Sequence, residues 1–241
     1  MPLVLDAGTG IRNLPALLGD RPFDGTVMLG HLHWDHTHGL PFCTATDHPD
    51  ARVRVLGPSA DGRPIDVLLA GAMSPPNFPI APGQLRGTWA WDRGEEGWHA
   101  VEGFDVLARE IPHKGGTTFG YRVSDDRHSF AYLSDHMPQA KGDGPDGWGE
   151  YHDAAMAIAD GVDVLIHDAQ YTVEELPTRG SFGHAAAEYA VALGEKAGAK
   201  HVVLFHHDPS RTDDEVDGIV HRFGGASVRV SAAVEGAVLP L

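Results

Sequence analysis

The chain has a single cysteine, Cys43, so no disulfide can form within it. That usage fits a reducing cytoplasm, and Cys43 reads as a small buried apolar residue rather than a ligand or nucleophile. Cations are also scarce: 18 lysines and arginines stand against 34 aspartates and glutamates, a formal charge of −16 with histidine neutral. A surface that tracks a nucleic-acid backbone is normally basic, so this balance argues against DNA or RNA as a partner. A small phosphate substrate stays open, because bound metal cations reverse the local field. No apolar run approaches membrane-spanning length, and Met1-Pro2-Leu3-Val4-Leu5-Asp6 carries neither a basic region nor a cleavage pattern. A soluble cytoplasmic protein without a membrane partner is expected.

What is present is enough for a large core: 241 residues, 42% of them hydrophobic, read as a single domain over 1–241. The 30 glycines and 17 prolines imply a loop-rich, tightly turned fold. Short apolar runs alternate with helical patterns, which points to the α/β class. Strands are predicted over 3–5, 25–29, 52–56, 104–111, 118–123, 129–133, 162–167, 201–206 and 228–233. Helices are predicted over 11–18, 65–72, 152–160, 184–197 and 213–223, with Gly198 stopping the fourth and Thr212 capping the fifth. The four prolines within 73–83 exclude regular structure there. That loop is rigid, and forms either a plain connector or one wall of a pocket.

The strongest compositional signal is the count of 16 histidines. In Gly30-His31-Leu32-His33-Trp34-Asp35-His36, four metal-competent side chains fall within six residues, just after an apolar run. Placed in a loop at a strand end, His31 and His33 can converge on one ion while Asp35 and His36 turn toward another. Imidazole with carboxylate suits a catalytic zinc, with manganese or iron as alternatives.

This stretch resembles the His-x-His-x-Asp-His signature of the metallo-β-lactamase superfamily. Further matches follow along the chain: Asp6-Ala7-Gly8-Thr9-Gly10 upstream, then His113, Asp135 and His206, each after an apolar strand. The resemblance implies a four-layer αββα sandwich. It also implies two divalent metal ions: one held by His31, His33 and His113, the other by Asp35, His36 and His206, with Asp135 bridging. Two cations lower the pKa of a shared water and neutralise charge on an attacked oxygen. The run from His113 to Arg122, and Gly183-His184 at a predicted helix start, resemble the branch containing tRNase Z and the phosphonate-pathway cyclic phosphodiesterase. There the histidine matching His184 donates a proton or holds the phosphate. Asp168 is expected to orient His184 or a ligand, and is also the rival of Asp135 for the bridge. His38, His48, His99, His128, His152, His201 and His221 read as solvent or packing residues. His136 stands where relatives commonly carry threonine, a departure that alters substrate contacts or adds a proton carrier.

Relatives in this branch begin with one or two strands ahead of the Asp-x-Gly strand, which this chain lacks. The sheet edge near residues 3–5 is therefore predicted to be covered by a partner chain, such as a second copy in a homodimer, or to be poorly protected. No long insertion of the kind that grips tRNA is present. The expected activity is hydrolysis of a small phosphodiester, a cyclic nucleotide or cyclic phosphate, through the dinuclear centre. The alternatives are a thioesterase or lactamase of the same fold, and a metal-binding domain without activity.

Overall fold

A computed structural model describes residues 1–60 and 62–240. The chain forms two compact units: Met1–Glu95 with Ala100–Gly103, and Glu96–His99 with the chain from Phe104 onward.

The first unit contains β1 (Leu3–Leu5), α1 (Leu14–Leu17), β2 (Asp24–Met28), α2 (Trp34–Thr37), β3 (Arg52–Gly57), α3 (Ile65–Leu69) and β4 (Thr88–Arg93). Its sheet has the order β1-β2-β3-β4 and every pairing is parallel, with Val4 opposite Val27, Val27 opposite Val55 and Val55 opposite Trp91. Parallel neighbours need crossovers rather than hairpins, which explains the helical turns between these strands. Phe23, Val27, Leu29, Val53, Val55, Ile65 and Leu69 form the core of this unit. The predicted helix over 11–18 is instead a 3₁₀ turn, Thr9–Asn13, followed by α1. Pro15 lies at the start of α1, where a missing N–H is tolerated; it would have interrupted a longer helix. β4 was not predicted. Its Trp89 and Trp91 stack at 5.2 Å on one face of an edge strand.

The second unit contains the first three residues of β5 (Gly97–Val101), then β6 (Phe104–Ile111), β7 (Thr118–Ser124), β8 (Ser129–Leu133), α4 (Asp153–Ala159), β9 (Val164–Asp168), α5 (Leu176–Arg179), α6 (Ala187–Ala197), β10 (His201–Phe205), α7 (Asp213–His221) and β11 (Arg229–Ala232). The sheet order is β11-β10-β9-β8-β7-β6-β5. β6, β7 and β8 are antiparallel neighbours, whereas β8, β9, β10 and β11 run parallel. The C-terminal ends of β8, β9 and β10 therefore lie side by side. Small residues on α4 and α6 (Ala154, Ala155, Ala187, Ala190) pack with Leu165, Val202 and Leu204 in the core. α6 ends at Gly198, left-handed at φ 71°, and α7 is capped by Thr212 with Glu215 reciprocating, both as expected. α6 starts later than expected: Ala186 is extended and bridges to Tyr171, and the helix begins at Ala187. Among the described residues no helix is long and apolar enough to cross a membrane.

Candidate metal centre

In the first unit, β2 delivers the chain to Gly30, whose N–H donates to Asp6 Oδ1 at 2.7 Å. The next turn gathers the motif side chains. The His31 ring lies 4.3 Å from that of His33 and 4.2 Å from that of His36. His33 precedes α2, which places Asp35 and His36 in one helical turn, tied by Thr37 Oγ1 donating to the His33 carbonyl at 3.0 Å. Asp6 Oδ2 accepts from His36 Nδ1 at 2.7 Å, while His36 Nε2 faces Asp35 Oδ2 at 3.2 Å. A carboxylate on one ring nitrogen fixes the tautomer and leaves the other nitrogen as a lone-pair donor, the usual arrangement around a metal-binding histidine. The Asp-Ala-Gly strand end is explained by sterics: a Cβ on Gly8 would lie 2.2 Å from the Asp35 carbonyl oxygen. Likewise a Cβ on Gly39 would lie 2.0 Å from the Gly8 carbonyl oxygen. Asp6 itself is held at φ 59°, a strained conformation for a side-chain-bearing residue.

In the second unit, three loops after strands converge. Asp135, buried after β8, presents Oδ2 to His113 Nε2 at 3.4 Å and to His206 Nε2 at 3.6 Å. His113 Nδ1 donates to the Gly183 carbonyl at 2.7 Å, so its Nε2 carries the lone pair. His206, after β10, is held at φ 55°. Asp168 is differently engaged. Its Oδ1 accepts from the Gln170 N–H at 3.0 Å, and its Oδ2 accepts from the His136 N–H and from His184 Nδ1, each at 3.0 Å. The His184 ring stacks on that of His206 at 4.9 Å, and its Nδ1 is 3.9 Å from Asp135 Oδ2. His184 lies before the N-cap of α6 and does not open the helix, which starts at Ala187. Each unit thus presents imidazole and carboxylate donors pre-oriented by outer hydrogen bonds, a set that fits divalent zinc, manganese or iron.

Residues 3–207 match the family model described as "Beta-lactamase superfamily domain". The chain belongs to the metallo-β-lactamase superfamily. A ribonuclease Z of Limosilactobacillus fermentum is 24% identical over 220 residues, covering 75% of this chain and 68% of the relative. The metallo-β-lactamase fold protein YhfI from Bacillus subtilis superposes with a TM-score of 0.70 at 19% identity, covering 98% of this chain and 85% of its own. A diphosphatase from the PhnP family gives 0.65 at 20% identity, covering 99% and 79%. The α/β architecture with two sheets is that of metallo-β-lactamase-fold hydrolases, as the motifs implied.

Two features of this superfamily member lie outside the metal-ligand motifs. In the first unit, Met73, Asn77 and Phe78 of the proline-rich loop wall a cavity of about 190 Å³ beside Thr37, His38 and Phe42. The loop is therefore a pocket wall rather than a plain connector. In the second unit, His152 is no bystander: it precedes α4 and contacts His136, which in turn contacts His167. Burial, with His167, His152 and His113 nearby, holds His136 well below 6.5. Burial lowers His167 as well, and takes His152 down to about 4 with help from Lys141. No sequence pattern marks this triad, because its members come from the loop after β8, the N-cap of α4 and the end of β9.

Proposed function

We propose that this chain is a dinuclear phosphodiesterase that hydrolyses a small phosphodiester such as a cyclic nucleotide or cyclic phosphate. The observation that carries the reading is the His184–Asp168 pair, 3.0 Å apart, with the same His184 nitrogen 3.9 Å from Asp135. The ligand assignment keeps the motif order: His31, His33 and His113 for one ion; Asp35, His36 and His206 for the other; Asp135 shared. Zinc is the first choice. When bound, two such ions supply Lewis acidity and an activated water for in-line attack at phosphorus. The protein's part is orientation. Asp6 fixes His36, Gly183 fixes His113, and Asp168 fixes His184 with its Nδ1–H toward the carboxylate. His184 in its imidazolium form, with Nδ1–H held by Asp168, would then deliver its Nε2 proton to the leaving oxygen and be left neutral, a contribution of about a hundredfold or more. Asp135 is favoured over Asp168 as the shared ligand because both Asp168 oxygens are occupied by N–H donors.

The test is a substrate panel with zinc-loaded protein: an activated bis-aryl phosphodiester, cyclic nucleotides, a phosphomonoester, a thioester, a lactam and structured tRNA. The small phosphodiesters should be cleaved fastest, and His184→Ala should slow them about a hundredfold with metal content intact. Faster turnover of thioester or lactam overturns the phosphodiester reading. Faster turnover of tRNA overturns the small-substrate reading, and would align this chain with the relatives named ribonuclease Z.

A further inference from the structure

Three histidines of the second unit lie together and stand outside the ligand sets above. His136 and His167 are wholly buried, and His152 is half-buried. His152 Nε2 is 2.7 Å from His136 Nε2, His136 Nδ1 is 2.9 Å from His167 Nε2, and His167 Nδ1 is 2.7 Å from the Asp168 carbonyl oxygen. At the other end, the Ala155 N–H donates to His152 Nδ1 at 3.4 Å.

The two ends dictate the direction of every bond between them. A carbonyl only accepts, so His167 Nδ1 carries its proton. A neutral imidazole has one donor and one acceptor, so His167 Nε2 accepts from His136 Nδ1. His136 Nε2 then accepts from His152 Nε2. That leaves His152 Nδ1 as an acceptor, which is what the Ala155 N–H requires. Starting from either end yields the same three tautomers. The chain is also tied to the reactive pair a second time, because the His136 N–H donates to Asp168 Oδ2, the atom that meets His184 Nδ1. Tyr189 packs against both inner rings, with centroids 5.6 Å from each.

We propose that His152, His136 and His167 are positioning residues, a single polarised imidazole chain that holds the main chain and carboxylate of Asp168 in place for His184. His136 is gripped at both ring nitrogens, which aims its backbone N–H at the carboxylate. His167 anchors the Asp168 carbonyl, so the residue is held from both sides. The inference rests on the reading of His184 as proton donor only for its kinetic consequence; the tautomers stand apart from it.

The deciding variant is His152→Asp. Aspartate is a preferred helix N-cap, so α4 keeps its start, but an ionised carboxylate cannot donate to His136. The chain would have to reverse, which sets a His167 lone pair against the Asp168 carbonyl. His152→Gln restores a donor. In zinc-loaded wild type, ring ¹⁵N spectra should show protons on Nδ1 of His136, His167 and His184 and on Nε2 of His152. His152→Asp should shift the His136 and His184 ring resonances at unchanged zinc content. It should also lower kcat about tenfold or more with KM little altered, and His152→Gln should recover both. A proton on Nε2 of wild-type His136 overturns the proposal, as does an unmoved His184 resonance in His152→Asp. If that variant fails to fold, the wild-type tautomers still decide. If the wild type cleaves no phosphodiester, the reaction assignment falls while the spectra continue to judge the chain.

Discussion

Asp135 and Asp168 have the same side chain, similar burial and similar places at the ends of parallel strands, yet they sit among different partners. Asp135 faces imidazole nitrogens, whereas Asp168 is surrounded by N–H donors. Substitution should separate them. Asp135→Ala is expected to lose metal, measured by elemental analysis of protein purified without chelator. Asp168→Ala should retain metal and lose turnover, because an unanchored His184 no longer presents a defined nitrogen. Metal loss in Asp168→Ala alone would reverse the assignment. Elemental analysis of the wild type should find two ions per chain; a ceiling of one under metal excess removes the dinuclear centre.

Elements show how much could be read in advance. The strands near candidate ligands were legible, because apolar stretches in β2, β8, β9 and β10, and the more mixed β6, lead within three residues to a histidine or aspartate. The short helices α2 and α5 were not, since four residues make too little pattern to distinguish from a turn. β4 escaped because its tryptophans are only half-buried on an edge. The His152–His136–His167 chain depends on a loop, a helix cap and a strand end meeting in space, which no spacing along the sequence encodes. Gly8 offers a direct check of the packing argument. Its φ of −62° suits any residue, so only the 2.2 Å approach to the Asp35 carbonyl forbids a side chain. Gly8→Ala should destabilise by about 1–3 kcal/mol in urea melts and weaken metal retention as α2 shifts. α4 supplies a pH test through His152, which takes up a proton near 6.5 when unfolded and near 4 when folded. Between those values the unfolded chain binds more protons, so stability falls as pH drops from 6.5 toward 4. Urea midpoints of wild type should decline over that window more steeply than those of His152→Gln.

For the molecule as a whole, the formal charge of −16 sets the long-range field. Two bound divalent cations would offset only part of it, so a short anion feels mainly the centre while a long polyanion also feels the acidic surface. Cleavage of an oligonucleotide should accordingly rise with salt, whereas cleavage of a cyclic nucleotide should change little; the opposite pattern would point to an electropositive path for nucleic acid. The parallel order of β8, β9 and β10 has a consequence in time. No hairpin can bring their ends together, so Asp135, Asp168 and His206 become neighbours only after α4, α5 and α6 have crossed over and long loops have closed. On a ribosome, Asp135 emerges well before His206, and in the interval the second unit holds an incomplete set of donors. Ion capture should therefore come at the end of folding. Zinc is expected to slow unfolding in stopped-flow experiments and to leave the refolding rate unchanged, because an ion that arrives after the rate-limiting step can only delay the way back.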